Sequence, residues 1–317
     1  MTDFDLHPDM ADLLAAKSNV PQSSDPAVAR AAWDAYGKGM QRPYPAGMVV
    51  SDTLFPPPKG ETRQIPIRFY RPAQATSGGP CVFYLHGGAF VKGSLESGDV
   101  VAWGVADQVG CMVISVDYRL APDCPYPAAL EDCYAALCHA AAHATEFGFD
   151  ASRIGVWGDS AGANLAAALC MLTRDRAGPH IAAQALNYPC LTDELTAESY
   201  RRYAESPGLR TKHMDNCWSL YLRGERPTRH DYAAPLKAQD LTHLPPAHIH
   251  IAEIDPLADD GRAYARRLRE AGGEAEFRCA DRMIHGFLRA RFTGATAASE
   301  FSAPCLFMRK HLGLAAT

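Results

Sequence analysis

The sequence predicts an α/β protein built on a mostly parallel sheet. Three observations carry that expectation. Short apolar runs alternate with helical patterns along most of the chain. Several runs, such as "CVFYLHG" and "VGCMVISVDYR", are continuously apolar, as the strands of a sheet buried on both faces are. In "RIGVWGDSAGANLAAAL" a serine between glycines stands where a strand must turn into an alanine-rich helix.

Residues 1–45 read as helices. "MADLLAAK" and "PAVARAAWDAYGKGM" place apolar residues three and four apart, and Asp25-Pro26 is a start signal. "FPPPKGE" is a turn, and "RQIPIRFYRP" alternates like a strand. Two buried strands follow, "CVFYLHG" and "VGCMVISVDYR", then the helix "YPAALEDCYAALCHAAAH". "SRIGVWG" is a third buried strand and "SAGANLAAALCML" the helix after it. "HIAAQALNYP" and "PAHIHIAEIDP" are strands, "DDGRAYARRLREAG" a helix, "EAEFRCA" a strand and "ASEFSAPCLFMRKHL" the last helix. From 191 to 235 the rhythm breaks. That stretch is polar, arginine-rich and aromatic, with "SYRRYAES" and "HMDNCWSLYL" as helices, and reads as an insertion over the sheet. The chain therefore divides into a helical segment at 1–45, a first α/β part at 46–190, the insertion at 191–235 and a second α/β part at 236–317.

Composition narrows the function classes. The 317 residues are 47% hydrophobic and 21% charged, with a net charge of -5, which disfavours nucleic acid or an anionic membrane as the main partner. The ten cysteines form no C-x-x-C pair, and Cys111, Cys138, Cys170 and Cys279 lie in or beside apolar runs, where cysteine behaves as a small hydrophobe. The acidic start "MTDFDLHPDM" lacks the basic and apolar regions of a signal peptide, and no apolar run is long enough to span a bilayer. A reduced, cytoplasmic protein is the expectation.

Ser160 lies in Gly158-Asp159-Ser160-Ala161-Gly162, a G-x-S-x-G between predicted strand and predicted helix. In that context the motif reads as a nucleophile elbow, which lifts the hydroxyl above the sheet edge at a helix N-terminus, with a plain glycine turn and a capping serine as the alternative. A serine hydroxyl needs a base, and the base an acid. Asp255 ends the strand "IAEIDP", and His285 follows "EAEFRCA" in "DRMIHGF". Both fall at the carboxyl edge of the sheet, in the order Ser, Asp, His. An oxyanion site is expected from "FYLHGGAF": the amides of Gly87 and Gly88, with that of Ala161, are three candidate donors. Asp259 and Asp260 rival Asp255 but read as the start of the next helix.

With "HGGAF", "GDSAG", "DPL" and "HGF" in this order, and "SVDYRLAPDCPYPAALEDC" between the first two, the chain resembles the hormone-sensitive-lipase-like, or bacterial family IV, carboxylesterases of the α/β-hydrolase superfamily. The resemblance runs from about residue 65 to the end. It implies an eight-stranded core and a helical cap made of the N-terminus and the insertion. It also implies hydrolysis of short- to medium-chain carboxylic esters without metal or organic cofactor, and a possible homodimer. Ser160 matches the nucleophile, Asp255 the acid, His285 the base, and Gly87, Gly88 and Ala161 the oxyanion amides. Ala89 stands where the family usually has a third glycine. The same Ser-His-Asp set would serve an amidase, a lactonase or an acyltransferase, and a non-catalytic binding protein on this fold is a further alternative.

Phe90, Trp218, Leu257, Ile284 and Phe287 are candidates for the substrate-pocket wall, with Trp33, Tyr36 and Met40 from the N-terminal helices. His248 and His250 share a strand face but have no third ligand at useful spacing, so no metal site is expected.

Overall fold

The structure, a computed structural model, describes residues 4–315. Eight strands form one sheet: β1 (Val49–Phe55), β2 (Ile65–Arg71), β3 (Gly79–Leu85), β4 (Met112–Val116), β5 (Phe149–Asp159), β6 (Ala183–Asn187), β7 (Ala247–Ile254) and β8 (Ala275–Ile284). Their spatial order is β1-β2-β4-β3-β5-β6-β7-β8. Only β2 runs against its neighbours; all pairs from β4 to β8 are parallel. The helices are α1 (Ala11–Ser18), α2 (Pro26–Gly39), α3 (Leu95–Val109), α4 (Ala128–Ala142), α5 (Ala144–Phe147), α6 (Ala161–Asp175), α7 (Glu198–Arg202), α8 (Thr211–Tyr221), α9 (Ala258–Glu270) and α10 (Ala295–His311).

The continuously apolar runs become strands buried on both faces. Every residue of β3, β4 and β6 is buried. One face packs against α4, α6 and α9 through Leu137, Leu165 and Leu268. The other packs against α3 and α10 through Val105, Phe301 and Met308, joined at its edge by Met10 and Leu13 of the N-terminal segment. This two-faced cover is what a parallel sheet with crossover helices requires.

Two elements escape the sequence patterns. β1 is an edge strand with an almost wholly exposed run, so it lacks an apolar signature. α3 holds Gly98 and Gly104, poor helix formers that packing nonetheless demands. A Cβ on Gly98 would press on Tyr84 at 2.9 Å, and one on Gly104 on the Arg291 guanidinium at 2.6 Å. Ser94 and Ser97 close a capping box at its start. The Asp25 start signal acts as read: its carboxylate accepts from the Ala27 amide at 2.8 Å.

The segment 191–235 is tied to the sheet layer at both ends. Asn164 of α6 donates to the carbonyls of Cys190 at 2.8 Å and Ala233 at 3.0 Å. Among the described residues no helix is long and apolar enough to cross a membrane. All ten cysteines are free thiols.

Candidate active site

Neighbouring parallel strands end at one edge and present successive loops: Gly87–Ala89 after β3, Ser160 after β5, Tyr188 after β6, Asp255 after β7 and His285 after β8. β5 ends on Asp159 and α6 starts on Ala161, so Ser160 alone makes the turn. Its backbone sits at φ 58° and ψ -119°. Such a conformation costs a residue with a side chain about 1–3 kcal/mol and persists only where the surroundings enforce it. Here they do. A Cβ on Gly158 would overlap the Gly162 carbonyl, and a Cβ on Gly162 would overlap the Leu85 carbonyl at the end of β3. The Ser160 amide donates to the Asn187 carbonyl at 2.9 Å, and Asn187 Nδ2 donates to the Gly158 carbonyl at 3.0 Å.

Ser160 Oγ lies 2.9 Å from His285 Nε2, and His285 Nδ1 lies 2.7 Å from Asp255 Oδ2. The Leu257 amide donates to Asp255 Oδ1 at 3.0 Å, which fixes the carboxylate plane. Asp255 is fully buried, while Ser160 and His285 keep 6% and 7% of their surface open to the cavity above. The Tyr188 ring flanks the imidazole at 4.7 Å. This line of contacts lets a proton move from Oγ to an imidazole whose tautomer the carboxylate holds.

The amides near Ser160 differ from expectation at one position. The Gly87 N–H donates to Asp159 Oδ1 at 3.1 Å, and a Cβ on Gly87 would crowd Asp159 Oδ2 at 2.5 Å. Gly87 is thus a close-approach glycine whose amide, expected to face an oxyanion, is already taken up by Asp159. The amides of Gly88 and Ala89 donate to no protein group among the described residues. Ala161 has none either, because Ala163 and Asn164 are the first residues of α6 to donate back, both to the Ser160 carbonyl. The amides left without a protein acceptor in this loop and at the start of α6 are those of Gly88, Ala89 and Ala161. Ala89 and Phe90 hold this loop at φ 53° and 65°. Beneath it His86 stacks on Tyr118 at 4.2 Å, and the Tyr118 hydroxyl donates to the His86 carbonyl at 2.5 Å. Burial pushes the His86 imidazole down to about 4, so it is neutral at pH 7. The stretch "SVDYRLAP" therefore supports the site from below. Tyr118 braces the loop, and Arg119 pairs with the buried Asp132 at 2.9 Å.

A cavity of about 650 Å³ opens over Ser160. Its walls come from the sheet edge and from both covering segments, including Leu14, Trp33, Tyr188, Leu209 and His213.

A family profile described as alpha/beta hydrolase fold matches residues 82–289. The chain belongs to the α/β-hydrolase family. It is a carboxylic ester hydrolase of the hormone-sensitive-lipase-like group, similar to esterases along most of its length. Carboxylesterase NlhH of Mycobacterium tuberculosis is 41% identical over 228 residues, 71% of each chain. Ethyl acetate hydrolase of Pseudomonas putida is 34% identical over 245 residues, 76% of each. A solved ester hydrolase from the Lake Arreo metagenome, complexed with a bipyridine phosphonate derivative, superposes with a TM-score of 0.89 at 35% identity. That match covers 97% of this chain and 99% of the other.

The esterase's five expected wall residues lie elsewhere. Phe90, Trp218, Leu257, Ile284 and Phe287 are wholly buried, and none lines the cavity. Phe90 stacks on Tyr221 at 3.9 Å with Trp218 alongside, and Phe287 fills the space between Tyr188 and His250. Sequence proximity to a motif selects residues that support the loops from below. Trp33 does line the cavity; Tyr36 and Met40 do not.

Asp259 and Asp260 begin α9 and hold the insertion. Asp259 accepts from the Ser199 amide at 2.9 Å, and Asp260 from the Leu191 amide at 2.8 Å and the Tyr200 hydroxyl at 3.0 Å. His250 pairs with Glu300 at 2.8 Å, and Glu300 also binds Arg278. No group of three metal-ligating side chains occurs among the described residues.

Three residues of the site carry little or no sequence signal. Asp159, inside the motif, accepts from the Tyr84 hydroxyl at 2.7 Å; its signal is a carboxylate ending an apolar strand. Tyr188 and Lys17 have none. Lys17 reaches across from α1 to the carbonyls of Gly208 at 2.9 Å and His285 at 2.8 Å, a contact between residues far apart in the chain.

Proposed function

We propose that this esterase cleaves short- to medium-chain carboxylic esters by a Ser160–His285–Asp255 acyl-enzyme route. His285 Nε2 takes the proton as Ser160 Oγ attacks the ester carbonyl. Asp255 holds the tautomer and stabilises the imidazolium. The oxyanion develops against the amides of Gly88, Ala89 and Ala161 at the positive end of α6. His285 then protonates the leaving alcohol, and a water molecule repeats the attack on the acyl-enzyme.

The observation that carries this reading is the unbroken pair of contacts at 2.9 and 2.7 Å, on loops of three separate strands, beneath an open cavity. A hydroxyl placed for capping alone needs neither a buried carboxylate behind a histidine nor a strained backbone. The cavity volume suits a small ester better than a long lipid chain.

The test is hydrolysis of p-nitrophenyl esters from acetate to palmitate, beside Ser160→Ala. Turnover peaks at short or medium chains, and the variant loses about 10⁴- to 10⁶-fold in kcat. Wild-type protein that cleaves no ester and resists a serine-directed phosphonate would overturn the reading.

A further inference from the structure

Cations outnumber carboxylates in the wall of the cavity above Ser160. Lys17, Lys92, Arg210 and Arg289 line it against a single carboxylate, Asp159. Asp159 already accepts from Tyr84 and Gly87 through Oδ1. Arg210 lies on the exposed rim and pairs with Glu205 at 3.4 Å. The three inner cations have no carboxylate partner among the described residues.

Neutral groups hold them instead. Lys17 Nζ donates to the two carbonyls already described. Arg289, 3% exposed, donates through Nη1 to the Ser97 carbonyl at 2.6 Å. Lys92 Nζ lies 4.2 Å from the centre of the Trp33 ring, and the Arg289 guanidinium 5.9 Å from the same ring. Three separate segments thus bring cations to one cavity: α1, the loop after Gly88, and the turn after His285. Burial makes the charged forms of Lys17 and Lys92 costly, and the more distant carboxylates Asp159 and Asp255 offset this only in part at Lys17. A neutral acyl chain would gain nothing from these cations; an anion would. The strain is felt at Lys17, whose ammonium is pushed down to about 7 by burial and by Arg289.

We propose that the esterase selects esters carrying a free carboxylate, which Lys17, Lys92 and Arg289 hold while the ester carbonyl meets Ser160. This rests on the reading of Ser160 as nucleophile. The chemistry balances as ordinary hydrolysis. The acyl C–O bond breaks, water supplies hydroxyl to the acyl carbon and a proton to the alcohol, and the products are an alcohol and a carboxylic acid that releases its proton to solvent as a carboxylate. The recognition carboxylate leaves unchanged on one of them.

Two matched pairs locate it. Monoethyl glutarate against ethyl valerate places the charge on the acyl side. 4-Acetoxybutanoate against pentyl acetate places it on the alcohol side. We expect the anionic member of one pair to lead in kcat/KM by about 10-fold or more at low ionic strength, with the lead shrinking as salt rises. Lys92→Met lowers that ratio about 10-fold, and Lys92→Arg restores most of it. Preference for the neutral member in both pairs, or a ratio indifferent to Lys92→Met, overturns the proposal. Calorimetry with glutarate and the wild-type protein separates the two readings if no ester is cleaved. Salt-sensitive binding would uphold the anion site while the Ser160 reading fell, and absence of binding would sink both.

Discussion

At the Ser160 turn, β3, β5, β6 and α6 meet through main-chain groups: the carbonyls of Leu85, Gly158 and Asn187, and glycines with no room for a Cβ. Over the cavity, α1 and the 191–235 segment are held by side chains. Lys17 reaches Gly208 and His285, Asp260 reaches Leu191 and Tyr200, and Asn164 reaches Cys190 and Ala233. The same molecule thus fixes its Ser160 turn by backbone and the cover of its cavity by side chains. A main-chain arrangement allows almost no variation, because each change moves a strand. A side-chain pin can be replaced singly while the sheet stays in place.

The strongest way to break this contrast is to add one methyl group on each side of it. Gly162→Ala sets a Cβ against the Leu85 and His86 carbonyls. Neither can move without opening β3 from α6, so we expect at least about 4 kcal/mol of lost stability, read by chemical denaturation, together with lost turnover. Gly39 closes α2 with nothing near its missing Cβ. Gly39→Ala should shift stability by no more than about 1 kcal/mol, in the stabilising direction. Equal effects from the two would erase the distinction between turn and cover.

A second comparison lies within the loops beside the site. Phe287 was expected on the cavity wall but supports Tyr188 and His250 from beneath. Phe287→Ala should cost about 3–5 kcal/mol, the usual result of emptying a core position. Trp33 stands on the wall itself and is partly exposed. Trp33→Ala should act mainly on KM, with a smaller loss of stability. Denaturation midpoints and initial rates on one short ester decide this; a large stability loss confined to Trp33→Ala would reverse the placement.

Much of the Ser160 region was legible because each of its requirements is local. A strand run, two glycines, a serine and a helical run fall within seventeen residues, and the loops of Asp255 and His285 follow their own strands. Gly87 shows where that legibility ends. Its amide turns to Asp159, a contact between residues 72 apart that spacing could not reveal. The cavity wall was less legible still. Leu14, Lys17, Leu209 and Arg289 come together only through the folded path of the chain, and each reads in isolation as an ordinary helix or turn residue. α3 was hidden for a related reason, since its glycines answer to Tyr84 and Arg291 and not to helix propensity.

Lys17→Met tests one pin of the cover. The Lys17 ammonium titrates at about 7 in the folded chain, against 10.5 when unperturbed, with burial as the main cause and Arg289 second. Between those values the unfolded chain binds more protons than the folded one, so stability rises with pH across that window. Below about 7 the native state carries the whole cost of a charged Lys17 among carbonyls and cations; above 10.5 it carries none. Methionine removes both the cost and the slope. The melting-temperature difference between wild type and variant should therefore move in favour of wild type from about pH 6.5 to about pH 9.5. The open side of the cavity screens the charge, which limits the movement to roughly 2–4 °C. A difference that stays constant with pH would mean that α1 is held by the two neutral hydrogen bonds alone, and that the charge of Lys17 matters only to a bound anion.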